Sequence, residues 1–222
     1  MDPNLNARSS DDNPVDPVNL TPYLEDPNPL LVVVSGPSAV GKDSVIKRMK
    51  ELNYPFHFVV TATTRPPREN ERHGEDYFFL SEREFLRLKE EGELLEHALV
   101  YEQHKGVPKE QIRCALASGQ DVMMRLDVQG AATVHGLIPD AILIFLIAGS
   151  EEELIGRLRK RGTETAQGLA RRIATVREEM ERIPEFDYVV ANRDGELDCA
   201  VEKIAAIITA EKCRTQQRAI CL

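Results

Sequence analysis

Two rhythms of apolar residues run through this chain. Near-continuous apolar runs open the stretch 30–50 and recur at 56–61, 121–127, 141–147 and 187–191, with 94–100 as a more mixed strand carrying Glu96. Runs of this length suit strands buried on both faces of a parallel sheet. Between them, apolar positions return every three or four residues. Val45, Ile46 and Met49 form one such stripe, and Phe85, Leu86 and Leu88 form another inside a helix over 82–91. A helix over 151–160 follows, then stripes of Leu169, Ile173, Val176, Met180 and Ile183, and of Leu197, Ala200, Val201, Ile204, Ile207 and Ile208. Each stripe predicts a helix with one face on a core. Strands alternating with helices predict an α/β fold around a parallel sheet, with ligands at the carboxyl ends of the strands. KGVP at 105–108 reads as a turn.

The first strand runs straight into chemistry. Gly36, Gly41 and Lys42 fit the first seven positions of G-x-x-x-x-G-K-[ST], followed by Asp43 and Ser44. With an apolar strand before it and a helix pattern after it, this is a phosphate-binding loop. Its backbone N–H groups point at a phosphate, the helix dipole adds to them, and the lysine brings a mobile cation. At the eighth position, where Ser or Thr usually offers magnesium a hydroxyl, Asp43 admits two readings: a carboxylate ligand for magnesium, or an acid favoured by the helix N-terminus. A second cationic element, Arg65 and Arg68, brackets Pro66 and Pro67. The prolines stiffen the backbone so that two guanidinium forks can be held for phosphate oxygens, although a charged surface loop has the same composition.

Composition narrows the classes. A length of 222 residues suits one α/β domain. A formal net charge of −9 argues against a general nucleic-acid binder, and no apolar run is long enough to span a bilayer. The four cysteines and five histidines show no metal-ligand spacing. Residues 1–29 contain six acidic residues, one arginine and repeated prolines. They read as a flexible tail, the opposite of an Arg-rich transit peptide.

Taken in order, GPSAVGKD, TTRPPR followed by GEDYFF, ELLE, LDVQG and RGTET resemble the guanylate kinase family over nearly the whole chain beyond the tail, and the GKD, KGVPK and RLDVQG segments resemble its plant plastid or mitochondrial branch. The resemblance implies a P-loop nucleoside monophosphate kinase fold: a five-stranded parallel core sheet with helices on both faces, spanning 30–60 and 108–213. It also implies an inserted GMP-binding subdomain at about 61–107, a lid at about 157–172 and a C-terminal tail at 214–222. The implied activity is transfer of the γ-phosphoryl of ATP to GMP or dGMP with Mg2+, by a monomer in a plastid or mitochondrion or, alternatively, in the cytoplasm. By the same resemblance, Gly36, Pro37, Ser38, Ala39, Val40, Gly41, Lys42, Asp43 and Ser44 bind ATP. Thr61, Arg65, Arg68, Tyr77, Glu96, Lys105 and Asp127 bind GMP, with Glu96 and Asp127 reading guanine. Lys42, Arg157, Arg161 and Arg172 are the implied catalytic cations. Three positions depart from the family pattern: Lys105 and Val107 replace a tyrosine and a serine, and Arg125 stands where an acid near the metal is common. The competing reading is an inactive guanylate-kinase-like interaction module.

Overall fold

A computed structural model describes residues 20, 26–69, 71–100, 103–161 and 166–222. Most of the expected N-terminal tail, the tip of the expected lid and the side chain of Arg161 lie outside the described residues. The large sheet contains β1 (Leu31–Ser35), β2 (Phe56–Phe58), β7 (Asp121–Arg125), β8 (Ile142–Ile147) and β9 (Tyr188–Ala191) in the order β2-β7-β1-β8-β9. Every neighbouring pair in it is parallel.

The central strand explains the all-apolar run in the sequence. All five residues of β1 are buried, but they alternate between two cores. Val32 and Val34 pack with Val45 and Met49 of α1 (Lys42–Glu51) and with Ala200, Val201 and Ile204 of α7 (Leu197–Lys212). Leu31 and Val33 face the other way, toward Ile112 of α3 (Lys109–Ala117) and Ala131 and Val134 of α4 (Val128–Leu137). A strand sandwiched between helices has no polar face to offer, so the alternation is hidden in the sequence.

The stretch 56–61 is not one strand. β2 ends at Phe58, and the chain crosses to a second sheet that begins with β3 (Ala62–Thr63). At the crossing, the amide of Gln111 mimics a neighbouring strand: its Oε1 accepts from Val60 N–H at 2.8 Å and its Nε2 donates to Val60 O at 2.8 Å. The second sheet has the order β4-β3-β6-β5, built from β4 (Phe78–Phe79), β5 (Leu94–Val100) and β6 (Gln103–Pro108). Its small core is Ala62, Phe85 and Leu94, with Phe85 coming from α2 (Glu82–Glu90). The described residues include no helix long and apolar enough to cross a membrane.

KGVP is strand, not turn. It forms most of β6, paired antiparallel with β3 on one side and β5 on the other. Gly106 is required by crowding: a Cβ there would lie 2.9 Å from Glu96 O and 3.0 Å from Phe85 Cζ. Pro108 ends the strand and begins α3, where a missing N–H costs nothing. Gly106→Ala is therefore expected to cost about 1–3 kcal/mol through displacement of Phe85, read as a lowered denaturant midpoint. Two smaller differences follow the same logic of element ends. Asp127 lies beyond β7 and caps α4, accepting from Gly130 N–H at 2.7 Å. Ile183 lies beyond α6 (Ala166–Glu181), in a short 3-10 turn. Past α7 the chain folds back, with Arg218 Nε donating to Glu211 Oε2 at 2.8 Å.

Candidate active site

The loop from Gly36 to Gly41 leaves the carboxyl end of β1 and feeds α1, as the sequence predicts. Gly41 adopts φ of 100°, and a Cβ on it would meet Asn192 Nδ2 at 2.3 Å, so the position excludes any larger residue. The loop is held from outside by two side chains that converge on one carbonyl. Asn192 Nδ2 donates to Val40 O at 2.8 Å and Arg157 Nη1 donates to it at 3.0 Å. Arg157, on α5 (Glu151–Arg161), also donates to Asn192 O at 2.9 Å and to Asp194 Oδ1 at 2.8 Å, and pairs with Glu153. The guanidinium thus braces the loop from behind. Pro37, Ala39 and Val40 are buried, while Ser38 and Ser44 are exposed.

Lys42 opens α1, and its Nζ donates to Gly36 O at 2.5 Å and Pro37 O at 3.1 Å, so the ammonium is folded over the loop it would share with a phosphate. Next to it Asp43 forms an ion pair with Arg125, at the end of β7. The two departures from the family pattern therefore meet in space. Arg172 lies half-buried on α6, and α6 is clamped to α5 by Arg177 and Glu151 at 2.7 Å. Arg161 is the last residue of α5.

The second cationic element lies at the edge of the smaller sheet. Arg65 makes a two-pronged pair with Glu71, at 2.6 and 2.5 Å, and lies over the rings of Tyr77 (4.8 Å) and Phe79 (5.5 Å). The Arg68 N–H donates to the same carboxylate at 2.9 Å. These donors, the Arg65 fork first, hold Glu71 well below the usual carboxylate range, at about 2. An oxyanion is thus already bound where two arginines were expected to bind one. The Arg68 side chain is exposed.

Glu96 is half-buried on β5, and burial, reinforced by the Asp127 carboxylate, pushes its pKa up to about 7. Two acids from different elements therefore converge, which favours a ligand bringing hydrogen-bond donors. Thr61 is half-buried at the start of the smaller sheet, and its carbonyl accepts from Phe78 N–H at 2.9 Å. Lys105 is half-buried on β6, while Val107, two residues on, is 1% exposed and packs in the core with Leu95 and Ile112. One cavity of about 470 Å³ joins the two regions, with Asp43, Lys47 and Arg125 on one wall and Thr61, Glu71 and Tyr77 on the other.

Four residues of this site were not singled out in the sequence: Glu71, Glu179, Asn192 and Asp194. Asn192 directly follows β9, so the rule that sites gather at the carboxyl ends of parallel strands was a usable signal for it. Glu71, three residues after Arg68, was visible as a carboxylate near two guanidinium groups. No local signal marks Glu179.

The guanylate kinase family matches residues 28–211. Guanylate kinase 2, chloroplastic/mitochondrial, of Oryza sativa subsp. japonica is 50% identical over 200 residues, which are 90% of this chain and 70% of the rice protein. Guanylate kinase of Caldanaerobacter subterraneus subsp. tengcongensis is 44% identical over 188 residues, 85% of this chain and 90% of that protein. The crystal structure of guanylate kinase from Anaplasma phagocytophilum superposes with a TM-score of 0.66 at 27% identity, covering 87% of this chain and 90% of that one.

Proposed function

The chain belongs to the guanylate kinase family, and from that premise we propose how its own residues divide the work of the reaction. The activity is transfer of the γ-phosphoryl group of ATP to GMP, giving ADP and GDP. Two polyanions must meet with their phosphates in line, so fixed cations and preorganised N–H groups supply most of the catalysis.

We assign the loop from Gly36 to Ser44, with the Lys42 ammonium, to the β- and γ-phosphates of ATP. Arg65, Arg68, Tyr77 and Lys105 receive the GMP phosphate, with Glu71 holding the Arg65 fork in plane. Glu96 and Asp127 accept the N1–H and exocyclic amine of guanine, and Thr61 lies beside the base. Arg161 and Arg172 bring charge to the transferring group from a lid at about 157–172, and Arg157 fixes the loop against which the lid closes. The smaller sheet, at about 61–107, is the GMP-binding subdomain. The observation that carries this assignment is the single cavity with the phosphate-loop helix on one wall and Thr61 and Tyr77 on the other.

Magnesium fits in one mode. No group of three or more His, Cys, Asp or Glu able to hold a metal is present among the described residues. The donor set therefore suits an ion that arrives on ATP phosphates and keeps its waters, with Asp43 as its one nearby carboxylate and Arg125 orienting that carboxylate. Bound there, magnesium neutralises phosphate charge. We further infer that dGMP is a second acceptor, that the protein acts as a monomer without nucleic acid or membrane, and that it works in a plastid or mitochondrion. The name of the rice relative supports that compartment.

The test is ADP formation with magnesium and GMP, dGMP, IMP or AMP between pH 6 and 8.5. Turnover with GMP and dGMP, and little with AMP, is the expected pattern. The guanine donors bind the ionised form of Glu96, which in the empty site is protonated below about pH 7. GMP binding then expels a proton, so the KM for GMP is expected to rise by up to about tenfold per pH unit below pH 7 and to level off above it. A KM for GMP that is flat through this range would remove Glu96 from base recognition.

A further inference from the structure

From the carboxyl-terminal half of α6, one acid reaches back to the phosphate loop. The carboxylate of Glu179 accepts a hydrogen bond from the backbone N–H of Ser38, in the middle of the loop. Its Oε2 is shielded from solvent and accepts no hydrogen bond among the described residues. Burial raises its pKa, the Lys42 ammonium opposes that rise, and the more distant influence of Asp127 adds to it. A half-buried carboxylate with one oxygen satisfied and one orphaned is costly. Packing does not call for it either, since the apolar residues Val176 and Met180 already supply this part of α6 to the core. What does call for an anion is the loop itself, a concavity of inward N–H groups next to an ammonium.

We propose that Glu179 is the resident anion of the phosphate loop, occupying in the ligand-free protein the Ser38 N–H and the neighbourhood of Lys42 that the donor phosphate takes in the complex. The inference rests on the reading that this loop holds the phosphates of ATP. Carboxylate and phosphate compete for the same donors, and two anions in so small a space repel each other. Binding of the donor therefore expels Glu179. Expulsion also releases a tether between the loop and α6, the helix that carries Arg172. Donor affinity and the freedom of α6 are then linked by mass action, each changing the other by the same factor.

Glu179→Gln keeps the shape and one acceptor while removing the charge. ADP and inorganic tripolyphosphate, titrated without magnesium into wild type and variant, are the probes. Both are expected to bind the variant roughly tenfold more tightly. The KM for ATP is expected to fall by a similar factor while the KM for GMP does not, and the ligand-free variant is expected to melt below wild type. A Glu178→Gln control, altering an exposed neighbour, is expected to bind ADP as wild type does. Equal or weaker binding of both probes by folded E179Q would overturn the proposal and make Glu179 a support of the loop. Should that variant not fold, E179A decides by the same criterion. Failure of wild type itself to bind either probe would overturn the assignment of the loop, a different result from failure of the variant.

Discussion

Lys42→Ala is expected to lower kcat by about three orders of magnitude or more, with the fold intact. The ammonium is folded over the loop, on Gly36 O and Pro37 O, and is carried on the first residue of α1. Alanine is the best helix former, so α1 itself loses nothing. The two hydrogen bonds to loop carbonyls are worth about 1 kcal/mol each in net stability, which a small fall in melting temperature would register. The catalytic loss is far larger, because a loose phosphoryl transfer gives the protein little to do except hold charge in place, and the loop contributes only one mobile cation. Circular dichroism and initial rates of ADP formation check the two halves of the expectation. Activity within a few-fold of wild type would take Lys42 out of the mechanism.

Glu96→Gln is expected to lower kcat/KM for GMP by two to three orders of magnitude, at roughly 10²–10³, and to leave ATP binding unchanged. Guanine presents two adjacent donors. Ionised Glu96 accepts from them, whereas glutamine sets either an N–H₂ group against a donor or a single oxygen where two were needed. The half-buried setting that pushes Glu96 up to about 7 also makes an unmatched donor expensive. The same substitution removes the titrating group, so the KM for GMP should become insensitive to pH near 7. Steady-state kinetics with GMP varied at saturating ATP, and then the reverse, separate the two substrates. Equal losses for both would count against base reading.

The sequence made the large sheet legible because its strands are buried on both faces and its loop carries glycine, lysine and helix in unbroken succession. The smaller sheet was harder. β3 and β4 have two residues each, too short for any period to register, and 56–61 ran together because Val60 is braced by a side chain, Gln111, from far along the chain. Gly106 and Pro108 are residues of turns in most settings, and only the close approach of Phe85 and the start of α3 explain them within a strand. In the site, the cations were visible as motifs and their acidic partners were not. Glu71, Glu179 and Asp194 acquire their meaning from guanidinium or ammonium groups brought up by folding, and Arg125 made sense only when it met Asp43.

Those pairings settle how the protein looks to an approaching anion. Arg65 is satisfied by Glu71, Arg125 by Asp43 and Arg157 by Glu153 and Asp194, within a chain whose formal net charge is −9. Viewed from beyond a screening length, about 8 Å in physiological salt, the cleft offers no positive beacon. A nucleotide is not drawn in; it wanders in and trades places with carboxylates already seated there. Inorganic phosphate, which must make the same exchange without a base to anchor it, is left a poor rival however abundant it is in the surrounding fluid.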